Sequence, residues 1–305
     1  MSIKRDLPVE RPDAAALQVF LSACGEAPLA GTGETWLGYY RLPTTAGRRL
    51  IRLFDSDDDR AAAAARLDCL GEAGIPCPQP IADACDAASH RLGGQAALLL
   101  TCPPGMTAAD YTSARCAALG GLLAQSHRAG EVCASVQAGV RTVREWRETA
   151  AALAPGLPRE EAVLLLDEVR FQGLFRFGDL PQGLVHGNVT RDSALFEGER
   201  ASGILGLEDG RPDAWLRDLA SAADACCGHG DGSLDGERTQ TLLQAYHGQR
   251  PLTPIERGAW PVMLRAVALQ RWVEALQAGS ASAADACARL RDRIAHESEL
   301  QRYWP

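Results

Sequence analysis

The sequence has no long hydrophobic run, and this absence limits the classes of protein to which it can belong. No stretch of about 18 apolar residues occurs in the chain, which argues against a transmembrane helix. The first eight residues, MSIKRDLP, lack the apolar core of a secretory signal peptide. We therefore expect a cytoplasmic protein that does not act on a membrane.

Positive charge is also scarce. The chain has 31 Lys and Arg residues against 39 Asp and Glu residues, for a formal net charge of −8 at pH 7. This balance argues against nonspecific binding to nucleic acid or to an anionic membrane. It does not argue against a nucleotide, because the phosphates of a nucleotide need only a local positive patch.

Metal-binding cysteine patterns are missing, although the chain contains ten cysteines. None of them forms a Cys-x-x-Cys pair, which excludes a zinc ribbon. Most lie among alanine and leucine, as is typical of small buried side chains.

The residues that are present indicate an ordinary globular protein. Hydrophobic residues make up 46% of the 305-residue chain, which is long enough for one large domain or two packed lobes. Strand-like runs at 36–42 and 49–54 flank turn-forming residues and predict a hairpin. A helix with an acidic start is predicted over 57–70, and a buried strand over 96–101. This order predicts a small α+β lobe that ends near residue 103.

The remainder of the chain is mainly helical in pattern. The spacing of apolar residues predicts seven helices, over about 108–129, 139–152, 158–177, 212–226, 235–247, 253–278 and 281–299. A β-like segment at 184–207 interrupts them. We therefore predict an α+β protein with a small N-terminal lobe, residues 1–103, and a large helical C-terminal lobe, residues 104–305.

The segment 183–208 carries the most informative pattern in the chain. It contains GLVHGNVTRDSALF and then GILGLE. With several other segments, it makes the chain resemble the type II homoserine kinases, which are related to aminoglycoside phosphotransferases and choline kinases. The other segments are 49–55, 74–80, 122–130, 213–220 and 258–272. Each is weak alone, but their order and nearly gap-free spacing make the resemblance specific.

The resemblance implies a bilobal, protein-kinase-like fold. ATP would lie in the cleft between the lobes, with Mg²⁺ on its phosphates. A carboxylate would orient the acceptor hydroxyl, and metal ligands would hold the ion.

The catalytic pattern of this family is His-x-Asp-x-x-x-x-Asn, followed by a strand and then Ile-Asp-Phe. His186 matches it, whereas the catalytic aspartate position is Asn188, and the metal-binding positions are Ser193 and Gly206. Asn188 can hydrogen-bond a hydroxyl but cannot take its proton. Ser193 is a poor ligand for Mg²⁺, and Gly206 has no side chain. The resemblance therefore implies a catalytic loop from which the base and the metal ligands have been replaced.

Two other loop residues have structural interpretations. His186 is expected to brace the loop by hydrogen bonds, as its family counterpart does. Arg191, the third catalytic-loop position that the resemblance indicates, is expected to order the loop as an ion pair with Asp192.

Glu208 and Asp209 follow the strand and could restore a metal site if the strand bulged. The apolar run Ile204, Leu205 and Leu207 argues instead for an undisturbed buried strand. We therefore expect no such restoration.

The resemblance also indicates nucleotide-binding positions in the N-terminal lobe. Gly31 and Gly33 could cover the phosphates, although two glycines before a strand also fit a simple turn. Arg52 matches the strand lysine that contacts phosphates in many kinases, and a solvent-facing strand residue explains it equally well. Thr101 and Cys102 lie where the lobe meets the hinge.

Two hypotheses for the function follow. The joint replacement at 188, 193 and 206 favours a pseudokinase that binds a small molecule, a nucleotide or an unknown protein partner and needs no cofactor. The alternative is an active kinase that uses ATP and Mg²⁺ to phosphorylate a hydroxyl. Its first candidate substrate is homoserine, an intermediate of threonine biosynthesis.

Overall fold

The strands account for less of the chain than the helices. The computed structural model describes residues 12–29, 33–81, 91–133, 143–229 and 231–305. Its strands are β1 (Glu34–Trp36), β2 (Tyr39–Thr44), β3 (Gly47–Phe54), β4 (Arg91–Leu92), β5 (Gln95–Thr101), β6 (Met106–Thr107), β7 (Gln182–Val185), β8 (Ala194–Glu197), β9 (Arg200–Ile204) and β10 (Arg211–Ala214).

The helices are concentrated in the C-terminal two thirds of the sequence. They are α1 (Ala14–Ala23), α2 (Asp57–Glu72), α3 (Ser113–Val132), α4 (Val143–Leu153), α5 (Arg159–Gln172), α6 (Leu216–Cys226), α7 (Gly236–Gln249), α8 (Pro254–Gln277), α9 (Ala283–Ala295) and α10 (Glu297–Leu300). The predicted α+β class is confirmed. None of the helices in the described ranges has both the length and the apolar character that crossing a membrane requires.

The chain divides into two compact units. The first comprises the described residues up to Met106, together with Ala194–Glu197 and Ser202–Asp209. The second comprises Thr107–Ser193, Gly198–Ala201 and Gly210–Pro305. The first unit thus takes in two later pieces of chain. The predicted boundary between residues 103 and 104 stays a prediction.

The first unit is built on an antiparallel sheet of five strands in the order β1-β2-β3-β5-β4. Tyr40, Ile51 and Leu99 lie opposite one another on adjacent strands, and all three are buried. Phe20 and Leu21 of α1 pack against them. Burial of large apolar side chains such as these stabilises a fold by about 1.5–3 kcal/mol each.

The second unit has a helical core formed by α4, α5, α8 and α9. Trp272 of α8 is fully buried in this core, among residues that include Leu165 of α5 and Leu290 of α9. The predicted helix over 212–226 begins only at Leu216. The residues before it form β10, because Arg211–Ala214 pairs with β7.

Candidate active site

The loop that follows β7 is held by a buried carboxylate. Asp218 of α6 accepts hydrogen bonds from the backbone N–H groups of His186 (2.6 Å) and Gly187 (2.8 Å). His127 Nε2 lies 3.0 Å from the same carboxylate, and His127 Nδ1 lies 2.7 Å from the hydroxyl of Tyr246. A fully buried network of this kind fixes the backbone of the loop.

The ionisation of Asp218 depends on these partners. Burial alone would raise the pKa of Asp218, but the hydrogen bond from His127, the charges of His127 and His186 and the Gly187 N–H outweigh it and lower that pKa. The carboxylate is therefore ionised at neutral pH despite being fully buried.

The side chains of the loop differ in what they contact. His186 Nδ1 accepts a hydrogen bond from the Asn188 backbone at 3.3 Å, which is the geometry of a residue that braces the loop. The amide of Asn188 has no hydrogen-bond partner in the part of the chain that the structure describes, so it is available to a ligand. Ser193 is buried, and its Oγ accepts from the Thr190 backbone at 2.9 Å. The Ser193 hydroxyl thus closes a turn.

Arg191 does not form the predicted ion pair with Asp192. Its guanidinium donates to the carbonyl of Ala109 and lies 5.4 Å from the ring centre of Tyr111, whose hydroxyl donates to the Arg191 carbonyl at 2.7 Å. The loop is ordered by this contact with the start of the second unit, so the prediction of an Arg191–Asp192 pair was wrong.

The metal-binding positions at Gly206 and beyond belong to the first unit, where the chain leaves the sheet. β9 ends at Ile204, and Leu207–Asp209 forms a single 3-10 turn. Gly206 has a φ of +87°, and its N–H donates to the Tyr39 hydroxyl at 3.0 Å. The expectation of an undisturbed strand through Leu207 was therefore wrong, because a left-handed glycine turns the chain.

This turn directs two acidic side chains toward Arg52. Arg52 Nη2 donates to Asp209 at 3.0 Å, and Arg52 Nε lies 3.9 Å from Glu208. Arg52 Nη1 donates to the carbonyl of Gly38 at 2.7 Å. Arg52 is only 8% exposed, so the interpretation of it as a solvent-facing strand residue was wrong.

Two further residues complete this ion network. The Tyr39 hydroxyl donates to Glu208 Oε1, and Arg66 of α2 donates to the Glu208 carbonyl. Glu208 Oε2 is buried and has no hydrogen-bond partner within the described residues. Sequence reasoning missed both Tyr39 and Arg66, because neither stands in a motif and their contacts are distant in the chain.

The charges in this network affect its two arginines differently. Burial lowers the pKa of Arg52, but Asp209 and Glu208 outweigh burial, so that pKa lies above its ordinary value. Burial lowers the pKa of Arg66 by more than the two acids raise it.

Metal-binding potential is low in these residues. Across the described ranges, no group of three or more His, Cys, Asp or Glu side chains converges as a metal site. A divalent cation beside Glu208 and Asp209 would also face the guanidinium of Arg52, which repels it.

The remaining predicted nucleotide positions are occupied by structural contacts or lie outside the described residues. Gly31 lies outside the described residues. Gly33 packs against the ring of Tyr40, and a Cβ added to Gly33 would lie only 2.5 Å from that ring. Thr101 Oγ1 accepts from the Gln79 backbone at 2.9 Å. Cys102 is half-buried, and burial raises the pKa of its thiol. Their roles in nucleotide binding stay predictions.

The chain has homoserine kinases among its relatives. It is 36% identical to the homoserine kinase of Methylobacillus flagellatus over 242 residues, which cover 78% of this chain and 75% of that one. It is 33% identical to the homoserine kinase of Methylobacillus glycogenes over the same shares of both chains.

Solved structures resemble the fold. The aminoglycoside phosphotransferase from Alicyclobacillus acidocaldarius has a TM-score of 0.65 and 16% identity, covering 97% of this chain and 94% of that one. Amicoumacin kinase hAmiN, solved in complex with AMP-PNP, Ca²⁺ and Ami, has a TM-score of 0.61 and 18% identity, covering 90% of this chain and 88% of that one. The fold is therefore that of the kinase-like aminoglycoside phosphotransferases.

The family assignment rests on a match that covers more than half of the chain. Residues 32–252 match the phosphotransferase enzyme family, APH, and this span covers most of the sheet-containing unit and much of the helical one. The chain belongs to the phosphotransferase enzyme family and is similar to its homoserine kinases.

Proposed function

We propose that the chain is an ATP-dependent phosphotransferase that acts on the hydroxyl of a small molecule, with homoserine as the first substrate to test. The observation that carries this proposal is the 36% identity to a homoserine kinase over 78% of the chain. The relatives support this kinase hypothesis better than they support the pseudokinase hypothesis.

The catalytic loop retains part of what phosphoryl transfer requires. The reaction passes through a loose transition state, so catalysis depends mostly on positioning and charge stabilisation. Asn188 stands in the anchored loop with an amide that is available to hydrogen-bond a substrate hydroxyl. The amide can orient the hydroxyl but cannot remove its proton. General-base catalysis usually contributes about 100-fold to 10,000-fold, so we expect slow turnover.

Mg²⁺ does not fit the protein residues at the family's metal positions. ATP would supply the phosphoryl group, and Mg²⁺ usually neutralises its phosphates. Ser193 is engaged with Thr190, Gly206 has no side chain, and Asp209 is paired with Arg52. We therefore assign no catalytic step to a metal ion held by this chain.

A second candidate function is a pseudokinase that binds its ligand without phosphorylating it. One observation favours it: the two carboxylates nearest the lost metal position lie against Arg52. Such a protein would bind the ligands of the family but would not phosphorylate them.

The experiment that tests the proposal is a phosphotransfer assay with homoserine, ethanolamine, choline and an aminoglycoside as acceptors. The wild-type chain is compared with Asn188→Asp and Asn188→Ala. We expect slow formation of phosphohomoserine, an increase of about 100-fold or more in Asn188→Asp, and a decrease in Asn188→Ala. Absence of product from both the wild type and Asn188→Asp would contradict the proposal and support the pseudokinase.

A further inference from the structure

We propose that Arg271, assisted by Arg289, forms a carboxylate-binding subsite beside the catalytic loop and selects substrates that carry an α-carboxylate. This inference rests on the proposed function, because it concerns the acceptor substrate of that reaction. It concerns residues of the second unit alone.

The subsite is part of a cluster of arginines around one buried carboxylate. Asp224 of α6 lies 3.0 Å from Arg271 Nε, 3.1 Å from Arg293 Nη2 and 3.8 Å from Arg289 Nη1. Arg293 is fully buried and also pairs with Asp292. Three guanidinium groups thus face two carboxylates, which leaves the cluster with an excess of positive charge.

The exposed members of this cluster are the two that could meet a ligand. The side chain of Arg271 is 22% exposed and that of Arg289 is 38% exposed, whereas Asp224 is inaccessible. A ligand that approaches this surface therefore meets positive charge and not the carboxylate that balances it.

Arg271 is held in one orientation that leaves donors free. Its Nη2 donates to the carbonyls of Val189 (3.0 Å) and Ser221 (3.2 Å), while its Nε faces Asp224. Nη1 carries two of the five N–H groups of the guanidinium and has no hydrogen-bond partner among the residues that the structure describes. These two donors are therefore available at a fixed position.

The position of Arg271 relates it to the reacting group. Val189, whose carbonyl it binds, directly follows Asn188, the residue that would orient the acceptor hydroxyl. Homoserine carries a hydroxyl at one end and an α-carboxylate at the other. A carboxylate accepts strong, charge-assisted hydrogen bonds from a guanidinium. A polycationic aminoglycoside would be repelled by the same group, so this cluster favours an α-amino acid.

Arg271 also has a purely structural interpretation, in which it only fixes the Val189 carbonyl. A thermodynamic cycle distinguishes this structural role from carboxylate binding. Binding of L-homoserine and of L-homoserine amide is measured by calorimetry with wild type and Arg271→Gln, with and without a nonhydrolysable ATP analogue. We expect the wild type to bind the acid at least about tenfold more tightly than the amide, as charged hydrogen bonds imply. Arg271→Gln should lose this preference while its affinity for the amide stays within about threefold.

Further variants serve as controls. Arg170→Gln removes an exposed arginine that pairs with exposed Asp167, and should leave both affinities unchanged. Arg271→Lys should retain part of the preference for the acid, because it keeps the charge but loses the planar donors. If Arg271→Gln does not fold, Arg289→Gln replaces it, with a smaller expected loss of preference.

Three outcomes would overturn the subsite: equal weakening of acid and amide, an absence of preference in the wild type, or no binding of homoserine under either condition. The proposed function fails in a different way. Homoserine that binds through its carboxylate but is never phosphorylated leaves the subsite intact and contradicts the kinase. Phosphorylation of acid and amide with equal KM supports the kinase and contradicts the subsite.

Discussion

The loop at 186–193 and the turn at 206–209 belong to one family motif but have different structures. In the loop, the backbone is anchored by Asp218, and the predicted positions of the base and of one metal ligand hold Asn188 and Ser193. In the turn, the predicted position of the other metal ligand is Gly206, and Glu208 and Asp209 lie in an ion network around Arg52. The difference shows two ways of fixing a backbone segment, because a buried carboxylate holds the loop and ion pairs hold the turn.

The largest expected effect concerns the anchor of the loop. Asp218→Asn places an amide where two backbone N–H groups and His127 need an acceptor, in a fully buried site. We expect the free energy of unfolding to fall by about 3 kcal/mol, as for a broken buried pair. Chemical denaturation measures this change. The control is Asp167→Asn, which changes an exposed aspartate paired with Arg170. This variant should lower the free energy of unfolding by less than about 1 kcal/mol.

The pH dependence of stability provides a second measurement on Asp218. Its pKa is lower in the folded protein than in the unfolded chain, so its stabilisation is complete above the ordinary carboxyl pKa. That contribution is lost as the pH falls through the folded pKa. The difference in stability between wild type and Asp218→Asn should therefore shrink below about pH 4. A difference that stays constant with pH would contradict the anchoring role.

The sequence predicts the loop at 186–193 better than the turn at 206–209. The helical spacing predicted the helices that hold the loop, because it depends on local periodicity. The family resemblance implied the loop around His186. The contact between Arg52 and Asp209 joins residues 157 positions apart, and that between Arg66 and Glu208 joins residues 142 apart. No local pattern encodes such pairs. The turn at Gly206 also follows a buried apolar run that is compatible with a continuing strand.

The second expected effect tests whether the ion network stabilises the first unit. Arg52→Met removes a guanidinium that contacts both Glu208 and Asp209 while preserving much of the apolar stem. We expect a loss of about 2 kcal/mol, less than for the fully buried Asp218 because the Asp209 side chain is 28% exposed.

Asp209→Asn in the Arg52→Met background is the matched comparison. If the Arg52–Asp209 pair stabilises the protein, Asp209→Asn should lower the free energy of unfolding by about 1 kcal/mol less in Arg52→Met than in the wild type. Additive effects of the two changes, measured by denaturation, would show that the network is incidental to stability.

The smallest expected effect concerns the backbone of the loop. Gly187 has a φ of +81°, and a Cβ there would stand 2.8 Å from Arg211 Nη1. Gly198 has a φ of +65° with open space around it. Both alanine variants should lose about 1 kcal/mol to backbone strain, and Gly187→Ala should lose more because Arg211 must move. Equal losses in thermal denaturation would indicate that the Arg211 contact does not constrain the loop.

The anchoring of His186 and Gly187 by Asp218 has a consequence for amide hydrogen exchange. These two N–H groups lie in a connecting segment, yet they should exchange as slowly as those of the core, because their release requires the buried carboxylate to lose its partners. A loop that is ordered before any ligand arrives loses little conformational entropy on binding. Its order is thus a property of folding, and it would persist in the chain whether or not a phosphate is ever transferred.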